Sequence, residues 1–151
     1  MSELQFIQKD HEWFMREALR EALAALDDHE VPIGAVVAVD NRIIARAHNL
    51  TERLRDPTAH AEMQAITMAA AYLGGKYLDM CTLYVTIEPC PMCAAALGWA
   101  QLKRLVYGAP DPKRGYSLFS PSLLHPKTEV ISGPLKEECS AIVTDFFRDK
   151  R

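Results

Sequence analysis

Two segments far apart in the chain, His60-Ala61-Glu62 and Pro89-Cys90-Pro91-Met92-Cys93, make a chemical unit only in a fold that brings them to one point. His60, Cys90 and Cys93 are good zinc ligands, and three protein ligands leave a fourth tetrahedral position open to water. Glu62 is the right kind of group to move that water's protons. A centre one ligand short of closed, with a carboxylate beside it, points to hydrolytic chemistry.

The spacing also predicts how the backbone presents these groups. Cys90 and Cys93 are three apart and share one face of a helix, with Pro91 suited to its first position and Cys90 to its N-cap. Both sulfurs then sit where a helix N-terminus favours thiolate. His60 and Glu62 are two apart, about 200° around an ideal helix, so they cannot share a face. His60 therefore belongs at or just before a helix start and Glu62 in its first turn, with Asp56-Pro57-Thr58 forming the entry. The expected geometry is two helix N-termini facing each other across a metal.

The competing arrangement is a closed, structural zinc site, or simply buried cysteines. Cys81 and Cys139 are isolated, and His11, His29, His48 and His125 have no ligand-like spacing to the motif. A closed site would have to recruit one of these singly, with His48 or Cys81 as the candidates.

A chain of 151 residues reads as a single domain that buries about 70% of the surface its unfolded form exposes. Hydrophobic and charged shares of 49% and 25% are ordinary for a soluble globular protein. The start, Met1 to Phe6, lacks a basic stretch followed by an apolar one, and no apolar run approaches the ~18 residues of a membrane span. The expectation is a soluble cytoplasmic protein without a membrane segment, its cysteines thiols or ligands rather than disulfides. A net charge of −3 argues against broad attraction to nucleic acid. Basic residues nonetheless gather at Arg53 and Arg55, Lys103 and Arg104, Lys113 and Arg114, and Arg148, Lys150 and Arg151. Each group suits a solvated surface as well as a binding patch.

Periodicity predicts an amphipathic helix from His11 to Leu26, then a hairpin of strands Ile33 to Val39 and Arg42 to Ala47 about Asp40-Asn41. A polar loop, Asn49 to Ala59, leads to a second helix that runs to Ala71 and is closed by Gly74-Gly75. Strand Thr82 to Ile87 enters the cysteine motif, helix Met92 to Ala100 follows, and Arg104 to Tyr107 returns as a strand. Ser117 to Lys127 is a loop with room for one helical turn, Thr128 to Ile131 a last strand, and Leu135 to Arg148 a last helix. Alternating strands and helices imply right-handed crossovers. The fold class read from this order is α/β, a three-layer α/β/α domain with a mixed central sheet of about five strands.

These motifs resemble the zinc-dependent nucleoside and nucleobase deaminases, whose signature is H-x-E with P-C-x-x-C. Glu30 to Val36, Asp56 to Glu62, Leu83 to Cys90 and Glu138 to Arg148 are similar to the bacterial tRNA adenosine deaminases within that family. The resemblance implies one zinc ion per subunit on His60, Cys90 and Cys93, hydroxide attack at C6 of adenine, and Glu62 as the proton shuttle. It implies that Asn49 binds the base, with Ile33, Val31 and Ala61 lining the substrate pocket; as bland alternatives Asn49 is a turn residue, and Ile33 and Val31 are core. It implies a tRNA anticodon stem-loop as partner, met by the Gly108 to Gly115 segment, including Asp111 and Lys113, and by Phe146, Phe147 and Arg148 on the last helix. One of the two phenylalanines must be core on an amphipathic helix. It also implies a homodimer, with the Trp99 and Leu102 region as a candidate interface or plain core.

Two departures qualify the match. After Gly115 the tRNA-editing relatives continue through small residues, whereas this chain reads Tyr116-Ser-Leu-Phe-Ser-Pro-Ser-Leu123. The cysteine motif followed by Gly98-Trp99-Ala100 is also similar to single-domain guanine deaminases. The rivals are thus a free guanine or cytosine deaminase with the same machinery, and a non-catalytic, zinc-stabilised RNA-binding module.

Overall fold

Alternation along the strands decides which layer each side chain joins. In the computed structural model, which describes residues 8–150, four helices sandwich a five-stranded sheet in the order β2-β1-β3-β4-β5. The strands are β1 (Gly34–Val39), β2 (Arg42–His48), β3 (Thr82–Ile87), β4 (Arg104–Ala109) and β5 (Glu129–Ser132). The helices are α1 (His11–Asp27), α2 (Ala61–Leu73), α3 (Pro91–Trp99) and α4 (Lys136–Asp149). Met1 to Phe6, read above as lacking a leader pattern, and Arg151 lie outside the described residues.

β1 pairs antiparallel with both β2 and β3, while β3, β4 and β5 run parallel, so the sheet is mixed as expected. Ala35, Val37, Leu83, Val85 and Leu105 point to the layer that holds α2 and α3. Val36, Ala38, Tyr84 and Val106 point to the opposite layer, against Phe14, Met15 and Ala18 of α1 and Cys139 of α4. β3 is buried along its whole length, which accounts for its unbroken apolar run Leu83-Tyr84-Val85.

The helix–sheet contact is tightest where α1 crosses the start of β1. A Cβ on Gly34 would run into the backbone of Ala18 and Ala22, so only glycine lets α1 settle on the sheet. Gly34→Ala must push α1 away from β1, and we expect a loss of about 3 kcal/mol, at the upper end of overpacking costs. Urea unfolding read by circular dichroism checks this; an unchanged midpoint would show that α1 yields freely.

The remaining elements follow the sequence closely. Asp10 caps α1 by accepting from Trp13 N–H at 2.8 Å. Gly74 ends α2 in the left-handed conformation, with φ 73°, where an L side chain is disfavoured. Where one helical turn was expected in Ser117 to Lys127, two short 3-10 turns occur, the first beginning one residue earlier: Tyr116–Leu118 and Pro121–Leu123. Neither segment shows enough periodicity for sequence patterning to separate two turns from one.

Candidate metal centre and active site

β3 and β4 are parallel neighbours, and helix α3 follows β3 with only Glu88, Pro89 and Cys90 between. Cys90 is the N-cap of α3 and Pro91 occupies its first turn. His60 is the N-cap of α2, and Glu62 lies in that helix's first turn. The His60 side chain makes no cap bond to its own helix, which leaves its imidazole free to face Cys90 and Cys93. The two N-termini meet: His60 Nδ1 lies 3.7 Å from Cys90 Sγ and 3.4 Å from Cys93 Sγ.

Zinc bonds of about 2.3 Å to sulfur and about 2.1 Å to nitrogen put tetrahedral ligands about 3.6 Å apart. The observed separations fit that tetrahedron, and one imidazole with two sulfurs suits zinc better than a hard cation. Among the described residues, His60, Cys90 and Cys93 are the one cluster of three or more potential metal ligands, with all ligand atoms within 4.8 Å of each other. The candidates for a fourth ligand are engaged elsewhere or buried: His48 by two carboxylates, Cys81 in the core beneath α2 and α3.

Cys90 is held down to about 4, first by the hydrogen bond from Cys93 and further by His60. Cys93 is pushed above the ordinary thiol range by that same bond and by burial. His60 is raised, chiefly through its hydrogen bond to Cys90. Glu62 is 4% exposed, and burial drives its carboxyl up to about 7. A group poised near neutrality can both take and give a proton at working pH. Its carboxyl interacts with Cys93, one of the three clustered residues.

β2 delivers Asn49 to the same end of the sheet. Asn49 is 7% exposed, its N–H donates to Ile33 O at 3.1 Å, and its Oδ1 accepts from Thr51 N–H at 3.4 Å. Leu50 N–H reaches Ala59 O at 3.0 Å, one residue before His60. Gln64 of α2 ties the two strands of chain together, its Nε2 donating to both His48 O and Ala59 O. Ala61 is fully buried in the α2 core, and Ile33 is half-buried where both core layers meet.

Val31 lines a groove of about 630 Å³ together with Arg53, Phe146, Phe147 and Lys150. Phe146 is half-buried and Phe147 is 47% exposed, so neither is core, contrary to the expectation; both line the groove beside α4 instead. Arg148 is exposed and paired with Asp145. Lys113 is exposed, whereas Asp111 turns inward on its own loop and accepts from Lys113 N–H and Arg114 N–H, each at 3.0 Å. Of the Trp99 and Leu102 pair, Leu102 is core and Trp99 is 85% exposed.

Two structural carboxylates escaped the sequence reading. Glu30 is fully buried and accepts from Glu52 N–H and Arg53 N–H at 3.1 and 2.7 Å, pinning the turn after Asn49. Glu88 does the same for a second loop. Both interrupt apolar runs, Glu30 beside Val31-Pro32-Ile33 and Glu88 after Val85-Thr86-Ile87, and acids there are buried only when fully hydrogen-bonded.

His48, next to Asn49, is gripped from both sides: Nδ1–H donates to Glu21 at 3.0 Å and Nε2–H to Asp28 at 2.8 Å. Burial alone would lower its pKa, but the hydrogen bonds to Glu21 and Asp28 and their charges raise it above the ordinary histidine value. A raised histidine stabilises the fold fully below about pH 6.5, and that contribution is lost as pH rises through the folded value. We therefore expect His48→Ala to lower Tm more at pH 6 than at pH 9. A gap that is equal at both pH values would mean that His48 is not charged in the folded state.

A family model described as MafB19-like deaminase matches residues 9–151. The chain belongs to this deaminase family. The tRNA-specific adenosine deaminase of Agrobacterium fabrum is 48% identical over 143 residues, covering 91% of this chain and 94% of that protein. A solved tRNA:A34 deaminase, studied for A-to-I editing at the wobble position, superposes with a TM-score of 0.79 at 47% identity, over 85% of this chain and 97% of its own. The guanine deaminase of Bacillus subtilis gives a TM-score of 0.66 at 32% identity, over 93% and 95%. As a deaminase, the protein is a hydrolytic enzyme, and its His-Cys-Cys group is placed to hold the metal that such enzymes use.

Proposed function

We propose that this deaminase converts the wobble adenosine of a tRNA anticodon loop to inosine, using one zinc ion held by His60, Cys90 and Cys93. The observation that carries the substrate is the 48% identity to a tRNA-specific adenosine deaminase over nearly the full length of both chains. The guanine deaminase match, at 32%, favours a second reading in which a free base is the substrate.

Zinc, when bound there, supplies a water activated at neutral pH. Glu62 would take one proton from the attacking water and pass it to ring N1 of the adenine, then take the second from the new C6 hydroxyl and give it to the departing amine. Oxygen adds at C6, the C6–N bond breaks, and ammonia leaves. Asn49 offers the base both a donor and an acceptor, with the half-buried Ile33 and Val31 as apolar surroundings, while Ala61, fully buried, only backs the site. An adenosine must leave its stack to be reached, and an anticodon loop presents bases already splayed. Lys113, Arg148 and the half-buried Phe146 are the residues we assign to the stem-loop, with Asp111 acting through its loop.

Several further assignments belong to this reading. The chain forms one domain, works in the cytoplasm, and pairs with a second copy through a face that includes Trp99, whose indole is otherwise left in water. Sedimentation at micromolar concentration tests the pairing, and a monomer would refute it.

The deciding assay incubates the zinc-loaded protein separately with an A-containing anticodon stem-loop and with free guanine, cytosine and adenosine. Inosine in the stem-loop alone is expected. Turnover of a free base instead would transfer the protein to base salvage and discard the RNA assignments.

A further inference from the structure

The cysteine motif carries a carboxylate that neither the metal centre nor proton transfer uses. Glu88 follows β3 and is 4% exposed. A buried carboxyl group must find donors, and Glu88 finds them in one loop. Its Oε1 accepts from Asp111 N–H at 3.2 Å. Its Oε2 accepts from Ser117 N–H at 3.0 Å and from Ser117 Oγ–H at 2.7 Å. Gly115 passes so close that a Cβ there would overlap the carboxylate. Since its φ of −61° is open to any residue, space rather than conformation demands glycine.

Backbone bonds complete the junction. Glu88 N–H donates to Ala109 O at 2.8 Å, and Tyr116 N–H donates to Pro89 O at 2.9 Å. The loop thus hangs from Glu88 and Pro89, the two residues before Cys90, and presents the exposed Lys113 and Arg114 outward. One strand end therefore sets both a proposed zinc ligand and a pair of cations.

We propose that Glu88 is a positioning residue for the RNA substrate. It fixes the 110–117 loop relative to the metal centre, so that Lys113 and Arg114 meet the phosphate backbone in the register that delivers the base to Glu62. This rests on the tRNA reading above.

The test measures kcat, KM and zinc content on the A-containing stem-loop for wild type, Glu88→Gln, Lys113→Ala, the double variant and Ser117→Ala. In Glu88→Gln an amide NH2 must face N–H donors, which releases one side of the loop. We expect KM to rise about tenfold with kcat held within about twofold and zinc unchanged. Lys113→Ala should raise KM several-fold in wild type but add less than about twofold to Glu88→Gln, since the released loop no longer aims that cation. An unchanged KM, or fully additive effects, overturns the proposal. So does a fall in kcat and zinc at constant KM, which would assign Glu88 to holding Cys90 instead. If Glu88→Gln does not fold, Ser117→Ala decides: removal of one bond should raise KM about threefold, and no rise overturns the proposal. Wild type that leaves the stem-loop unconverted would instead overturn the tRNA reading, and the Glu88 role with it.

Discussion

Glu62→Gln should leave a folded, zinc-loaded protein that deaminates its substrate at least about a thousandfold more slowly. Glutamine has the shape of glutamate, so the first turn of α2 keeps its packing beneath the fully buried Ala61. The residue is neither the helix cap nor one of the clustered ligands, so metal binding and helix geometry should survive. An amide, however, can neither accept the water's proton nor deliver one to the base or the leaving amine. Burial that raises the Glu62 carboxyl to about 7 has no counterpart in a group that does not titrate. Single-turnover kinetics and metal analysis check the result. Full activity would remove Glu62 from the mechanism, and loss of zinc would make it a ligand.

The metal centre was legible because its rules are local. A proline one residue after a cysteine, and a histidine two before a glutamate, dictate N-cap positions whatever the fold around them, and His60 and Cys90 are N-caps. Helix and strand limits fell within a few residues of their expected places for the same reason. The long-range pairing was not legible in this way. Nothing in Gly34–Val39 announces that it inserts between β2 and β3, antiparallel to both, because β pairing is settled by packing rather than by neighbours in sequence. Charge patterning was ambiguous for a related reason. Arg53, Arg104 and Arg148 all look like free cations in sequence, yet each has a carboxylate partner: Asp28, Glu129 and Asp145. Glu30 and Glu88 were hidden because their partners are backbone N–H groups, which every residue carries and no sequence pattern displays.

Cys93→Ser separates the metal from the chemistry and should abolish activity by another route. Cys93 is fully buried in the first turn of α3, and its sulfur lies 3.4 Å from His60 Nδ1. Serine keeps nearly the same volume but offers a hydroxyl that ionises far less readily than a thiol. Two good ligands remain, the ion is no longer retained, and turnover falls to the level of chelated wild type. The stability consequence is equally specific. His60 caps α2 and the cysteines belong to α3, so a bound ion clamps two helix ends that otherwise share few contacts. Binding to the folded state alone stabilises it by RT ln(1 + [L]/Kd), about 4 kcal/mol at a thousandfold excess over Kd. Wild type should therefore melt at a higher temperature with zinc than with a chelator. Cys93→Ser should melt at the same temperature in both, close to chelated wild type. Zinc-dependent melting that persists in the variant would place the ion elsewhere. An equal loss of stability in zinc and in chelator would mean that Cys93 matters as a packed side chain, not as a ligand.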